Sequence, residues 1–156
     1  MILGFYLLVS IGVAVYLFKV QKKNIHVLEV FTYWSASSLL VQNYSAIQTM
    51  NYKSSIILSV VSLGLANLVI RTALYPAITI LFMNLYFVMK GKWRKILLMA
   101  GFAALLTGLE SLSDFLRVFV HVTWTMWLSA LFWLGYLVVL VWFGKYFRKK
   151  LFAWGA

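Results

Sequence analysis

The sequence predicts an all-α integral membrane bundle of about five transmembrane helices, with the N-terminus outside and the C-terminus cytoplasmic. Three observations predict it. Of the 156 residues, 64% are apolar and only 11% are charged, against roughly a quarter charged in a soluble domain. The mean hydropathy is +0.94. The 14 basic residues stand in short clusters between apolar runs, the pattern that the positive-inside bias produces. A chain of this length has room for about five spans of ~20 residues with short connections. Residues 1–156 therefore read as a single polytopic membrane domain in the lipid bilayer, without internal repeats or a low-complexity linker.

Residues 1–18 are apolar throughout and lack both a basic leader and a small-residue cleavage motif, so they read as a retained span. Lys19, Lys22 and Lys23 follow. Residues 27–46 carry Val27, Leu28, Val30, Phe31, Leu39, Leu40 and Val41, interrupted by Glu29, Gln42 and Asn43. The run 54–89, broken by Asn67, Arg71, Pro76 and Asn84, measures ~54 Å as a helix, too long for one crossing of a ~30 Å hydrocarbon core. The basic stretch Lys90–Lys95 closes it. A fourth span covers 96–116 and a fifth 125–143, ending in Lys145, Arg148, Lys149 and Lys150.

Charge placement selects the topology. Spans at about 1–18, 27–46, 69–89, 96–116 and 125–143 put 11 of the 14 basic residues inside, leaving Lys53, Arg71 and Arg117 outside. Splitting 54–89 into two spans, for six in all, puts only 9 of 14 inside. A rival five-span version makes 26–50 an interfacial segment and spans both 54–70 and 72–89; it scores 12 of 14 and stays open. In the first version, residues 54–68 lie on or re-enter the outer face, or extend a tilted third helix.

One polar stripe interrupts the apolar spans. On a helix advancing about 100° per residue, Glu110, Asp114, Arg117 and His121 return to nearly the same face. Two of the chain's three acidic residues are in this group. Ionisable groups inside a span cost a few kcal/mol each, so they tend to face the bundle interior with a partner or a task. Glu110 would lie in the outer half of the membrane, ~21 Å along a helix starting at Ile96. Asp114 follows ~6 Å further out, with Arg117 and His121 at the outer interface. Arg71, Thr72 and Tyr75 reach similar depth, which predicts an outward-facing pocket of Glu110, Asp114, Arg71, Arg117 and His121. Trp124 and Trp127 can add an aromatic wall for a cationic ligand.

Three local patterns resemble an uncharacterised family of small integral membrane proteins of Gram-positive, often spore-forming bacteria. They are Leu74-Tyr-Pro-Ala-Ile with Phe82-Met-Asn-Leu-Tyr86, Leu106-Thr-Gly-Leu-Glu110 with Asp114, and Trp124-Thr-x-Trp127 with Phe143 and Lys145-Tyr-Phe147. The resemblance covers roughly residues 70–150. It implies a five-span fold and points to Glu110 and Asp114, but it implies no activity. Here Arg117 follows the second acid and is able to neutralise it.

Each of these residues also has a plain structural reading. Asp114 and Arg117 can form an interfacial pair, His121 can be an interfacial histidine, and Glu110 can join helices by hydrogen bonding. Glu29 suits a helix N-terminus. Pro76 reads as a kink freeing a carbonyl that Thr72 or an asparagine can satisfy. Trp133, Trp142, Tyr136 and Tyr146 read with Trp124 and Trp127 as interfacial anchors.

Several function classes fall away. The chain has no cysteine, hence no thiolate metal site or cysteine nucleophile. It has no HExxH, glycine-rich phosphate loop or GxSxG elbow, and three acids make a two-metal centre implausible. No cofactor, metal or nucleic-acid partner is expected. Three functions remain: a small transport or ligand-binding protein using Glu110 with Asp114, a non-catalytic accessory subunit of a homo-oligomer or larger membrane complex, and a lipid-modifying enzyme acting through Asp114 and His121.

Overall fold

A computed structural model describes residues 2–21, 25–51, 55–56, 60–122 and 125–153. Among the described residues are five helical segments: α1 (Ile2–Gln21), α2 (Val27–Ala46, continued by a π turn Ile47–Asn51), α3 (Val61–Val88), α4 (Lys92–Phe115) and α5 (Met126–Ala153). The sequence expectation of an all-α architecture agrees with this. A short antiparallel pair, β1 (Ser55–Ile56) and β2 (Val120–His121), was not expected; it ties the segment before α3 to the one after α4.

Of these helices, α3, α4 and α5 are long and apolar enough to cross a membrane, and Ile2–Leu17 forms a shorter apolar helix. The arrangement of α2 is inverted relative to a soluble protein. Its buried face carries Glu29, Tyr33, Ser37, Tyr44 and Ser45 around a single buried valine, Val41, while Val27, Leu28, Phe31, Leu39 and Met50 are exposed. Apolar side chains facing outward over polar ones facing inward suit a helix in lipid.

The central helix is α3, which touches all four others. From Leu74 to Tyr86 all but Leu81 and Leu85 are buried, as expected for a helix apolar all round. It also decides the fate of the long apolar run. Residues 61–88 form one helix, so the split at 70–72 required by the rival arrangement does not occur. Of the stretch 54–68, residues 61–68 extend the third helix, while 54 and 57–59 lie outside the described residues. Pro76 is accommodated without a break. Proline cannot donate the bond a straight α-helix needs, and here a π turn over Ile70–Leu74 shifts the ladder. The Tyr75 N–H bonds back to the Ile70 carbonyl, and Pro76 then sits in the first turn of the resumed α-helix. Thr72 donates to the Leu68 carbonyl at 2.7 Å.

Helices run up and down between two ends. At one end, Glu29 of α2 meets Arg148 of α5, and Tyr86 of α3 meets Lys95 of α4. At the other, Tyr44 of α2 meets Glu110 of α4, and Tyr6 of α1 meets Ser113 of α4. Gly91, with φ 98°, makes the tight turn from α3 into α4.

The end of α4 corrects the four-residue stripe. The helix stops at Phe115, where the Arg117 N–H bonds to the Asp114 carbonyl and the Val118 N–H to the Ser113 carbonyl, both at 2.9 Å. This is a Schellman closure, with Arg117 at φ 55° in the left-handed position that glycine usually occupies. Arg117 and His121 therefore leave the helical face that carries Glu110.

Candidate functional site

The site is built around Glu110, which the 3- and 4-residue spacing of Ala103, Leu106, Glu110 and Ser113 turns inward on α4. It is only 2% exposed. One carboxylate oxygen accepts the Trp133 indole N–H at 2.7 Å. The other accepts the Tyr44 hydroxyl at 3.3 Å, and that hydroxyl accepts from the Gln48 amide at 2.8 Å. Aromatic packing holds both donors in place: Tyr44 stacks on Phe132 at 3.5 Å between centroids, and Trp133 lies against Tyr75 at 4.9 Å.

Beside the carboxylate is a cavity of about 20 Å³, lined by Val41, Tyr44, Ser45, Gln48, Asn67, Arg71, Tyr75, Glu110 and Phe119. That is room for about one water-sized group. Helices α2, α3 and α4 supply the polar lining, including both a carboxylate and a guanidinium. Ser45 matters here. Its hydroxyl is buried and has no hydrogen-bond partner among the described residues, which costs roughly 1–3 kcal/mol unless something in the cavity meets it.

The predicted pocket assembles in part. Glu110 and Arg71 line the same cavity. Asp114 lies one turn further along α4, half-buried and outside the lining. Arg117 is exposed in the turn that closes α4. His121 contributes its backbone to β2, and its side chain lies outside the described ones. Trp124 lies outside the described residues. Trp127 is exposed and outside the cavity lining. The carboxylate's aromatic wall comes from Trp133 and Tyr44, whereas the sequence placed Trp133 and Tyr136 at the membrane interface; both are buried in the bundle.

Sequence reasoning also missed Ser45, Gln48 and Asn67. A signal existed. Glu29, Tyr33, Ser37 and Tyr44 follow at steps of 4, 4 and 7 residues, which keeps them within about 80° on one face of α2.

Two further polar groups stand along the same face of α2. The Tyr136 hydroxyl lies 2.5 Å from Ser37 and 2.8 Å from Thr79, joining α2, α3 and α5. Nearer the basic end, Glu29 is fully buried and paired with Arg148, whose second nitrogen donates at 3.2 Å. The same carboxylate accepts the His26 backbone N–H at 2.9 Å and the Tyr33 hydroxyl at 3.1 Å. It thus closes the capping box of α2 while clasping α5. Arg148 rests on the Phe87 ring at 3.9 Å. The helix-end role read for Glu29 is present, and the clasp is an addition.

Among the described residues, no three His, Asp or Glu side chains converge as a metal ion would require. No known protein family, curated protein or solved structure matches the chain.

Proposed function

We propose that the protein is a small transport or ligand-binding protein of the bacterial cytoplasmic membrane. In this reading it crosses five times, with the N-terminus outside, and Glu110 is the binding carboxyl. The observation that carries the reading is the lined cavity: a buried carboxylate and an unmet serine hydroxyl face a space of about 20 Å³. Its size sets the ligand class. A space for one water admits a proton, a monovalent cation or an ammonium group, and excludes an organic solute taken in whole. Glu110 supplies the charge, with Ser45, Tyr44 and Gln48 as neighbouring polar groups, while Arg71 limits how much positive charge the cavity accepts. Asp114, a turn nearer the outer face, stands on the approach.

The reading is tested in proteoliposomes carrying an imposed proton or cation gradient. Wild-type protein should produce a flux that Glu110→Gln abolishes while its helical content and elution profile stay unchanged. Equal flux from both proteins would overturn the role of Glu110.

A second reading is favoured by one observation. Both Glu110 oxygens already accept bonds from donors fixed on other helices, as they would if the carboxylate served only to specify packing in an accessory subunit of a membrane complex. Gentle extraction should then recover a stoichiometric partner or a homo-oligomer, and Glu110→Gln should disperse it.

A further inference from the structure

The charge on this protein is unevenly met. There are 14 Lys and Arg against three acids. Glu110 and Asp114 lie at one end of the bundle, and Glu29, at the other, is occupied by Arg148. The end where α3 meets α4 carries the Lys90–Lys95 stretch and the Lys145–Lys150 stretch. No side-chain carboxylate remains in the chain to balance them.

Within that end, two cations converge. Lys95 from α4 and Lys145 from α5 place their ammonium groups 4.8 and 6.0 Å from the centre of one ring, that of buried Tyr86 on α3. Each gains from the ring face. Sharing one ring puts both ammonium groups in the same neighbourhood, where a nearby anion would offset their like charge. The neighbouring surface is that of a membrane interface: Trp93 is 79% exposed and Trp142 is 70% exposed, with Trp142 stacked on Tyr146. Exposed indole rings beside lysines at helix ends are the pattern of headgroup depth, and a pair at that depth is level with lipid phosphates.

We propose that Lys95 and Lys145, gathered at the Tyr86 ring, form a binding site for the phosphate of an anionic phospholipid. The lipid's acyl chains lie along the apolar faces of α4 and α5, and its headgroup bridges the two helices. This requires the bundle to sit in a bilayer, but not the Glu110 reading.

The test uses the full chain in nanodiscs of phosphatidylcholine, alone or with phosphatidylglycerol, reading bound phosphatidylglycerol by native mass spectrometry. Wild-type protein should retain phosphatidylglycerol. The double variant Lys95→Gln/Lys145→Gln should bind it about tenfold or more weakly, since each basic group near the surface contributes on the order of 1 kcal/mol. Lys149→Gln/Lys150→Gln should keep most of the affinity. Equal losses in the two variants would overturn a defined site in favour of diffuse attraction. No retention by the wild type would overturn it outright. Competition by millimolar inorganic phosphate at constant ionic strength would reassign the site to a free anion and overturn the lipid proposal.

Discussion

Individual residues carry energies large enough to measure. Trp133→Phe keeps an aromatic ring but removes the donor to the buried Glu110 oxygen. Leaving that oxygen without the indole costs about 1–3 kcal/mol, so chemical unfolding in detergent should show a loss of that size. A variant as stable as wild type would mean that the bond contributes nothing net. Glu29→Gln leaves the Arg148 guanidinium without its counter-charge at the junction of α2 and α5. Breaking such pairs costs about 3–5 kcal/mol when both partners are buried. Arg148 keeps 22% of its side chain in solvent, so the loss should fall at or below the lower figure. Replacing both partners by Gln and Met should restore much of it. Arg117→Gly acts in the opposite direction. A left-handed conformation costs a non-glycine residue roughly 1–2 kcal/mol; against that, glycine loses more chain entropy on folding. The net gain should be about 0.5–1 kcal/mol. Arg117 carried no sign of this in the sequence, because helix ends of this type are recognised by glycine.

At the scale of helices, hydropathy made α1, α3, α4 and α5 legible, since length and apolar content alone mark a crossing segment. Two features stayed hidden for physical reasons. The stripe on α4 was extrapolated by helical periodicity beyond Leu116, where backbone hydrogen bonding ends the helix. The buried face of α2 looked like an interruption of an apolar run, because a window average mixes an outward apolar face with an inward polar one. Two glycines of α5 now make opposite predictions. A Cβ on Gly144 would overlap the end of the Met83 side chain and lie within 3.3 Å of Phe87 and Tyr33. Gly144→Val adds two further methyls where only the end of Met83 can yield, and it should crowd Phe87 and the buried Tyr33 at a cost of about 1–3 kcal/mol. A Cβ on Gly135 meets nothing within 4 Å, so Gly135→Ala should gain up to about 1 kcal/mol from helix propensity. Thermal unfolding of the two variants separates them by sign; a shift of the same sign in both would contradict this packing of α5.

Across the whole molecule, the polar face of α2 links the two ends. It runs from the Glu29–Arg148 clasp, through the Ser37–Thr79–Tyr136 group, to the cavity at Glu110. Deep hydrogen-bonded groups of this kind hold helices in register where hydrophobic burial offers little between helices in lipid. The Ser37–Thr79–Tyr136 and Glu29–Arg148 groups have their partners, whereas the cavity keeps an unmet hydroxyl beside a carboxylate, and our reading puts the ligand there. The topology in our reading puts the basic end in the cytoplasm. A single cysteine at Lys149 should then react with an impermeant thiol reagent only from the cytoplasmic side, and one at Val122 only from outside; the reverse pattern would invert the protein. The central claim, that the Glu110 cavity takes a proton or a water-sized cation, is tested most directly by ligand-dependent stability. The melting temperature of the purified protein would be followed across sodium, potassium and ammonium salts at fixed ionic strength and across pH, for wild type and Glu110→Gln. A ligand bound only by the folded state raises stability with its concentration. The account predicts such a rise for at least one of these ligands in the wild type and its absence in Glu110→Gln, whereas the same response in both proteins, or none in either, would contradict it.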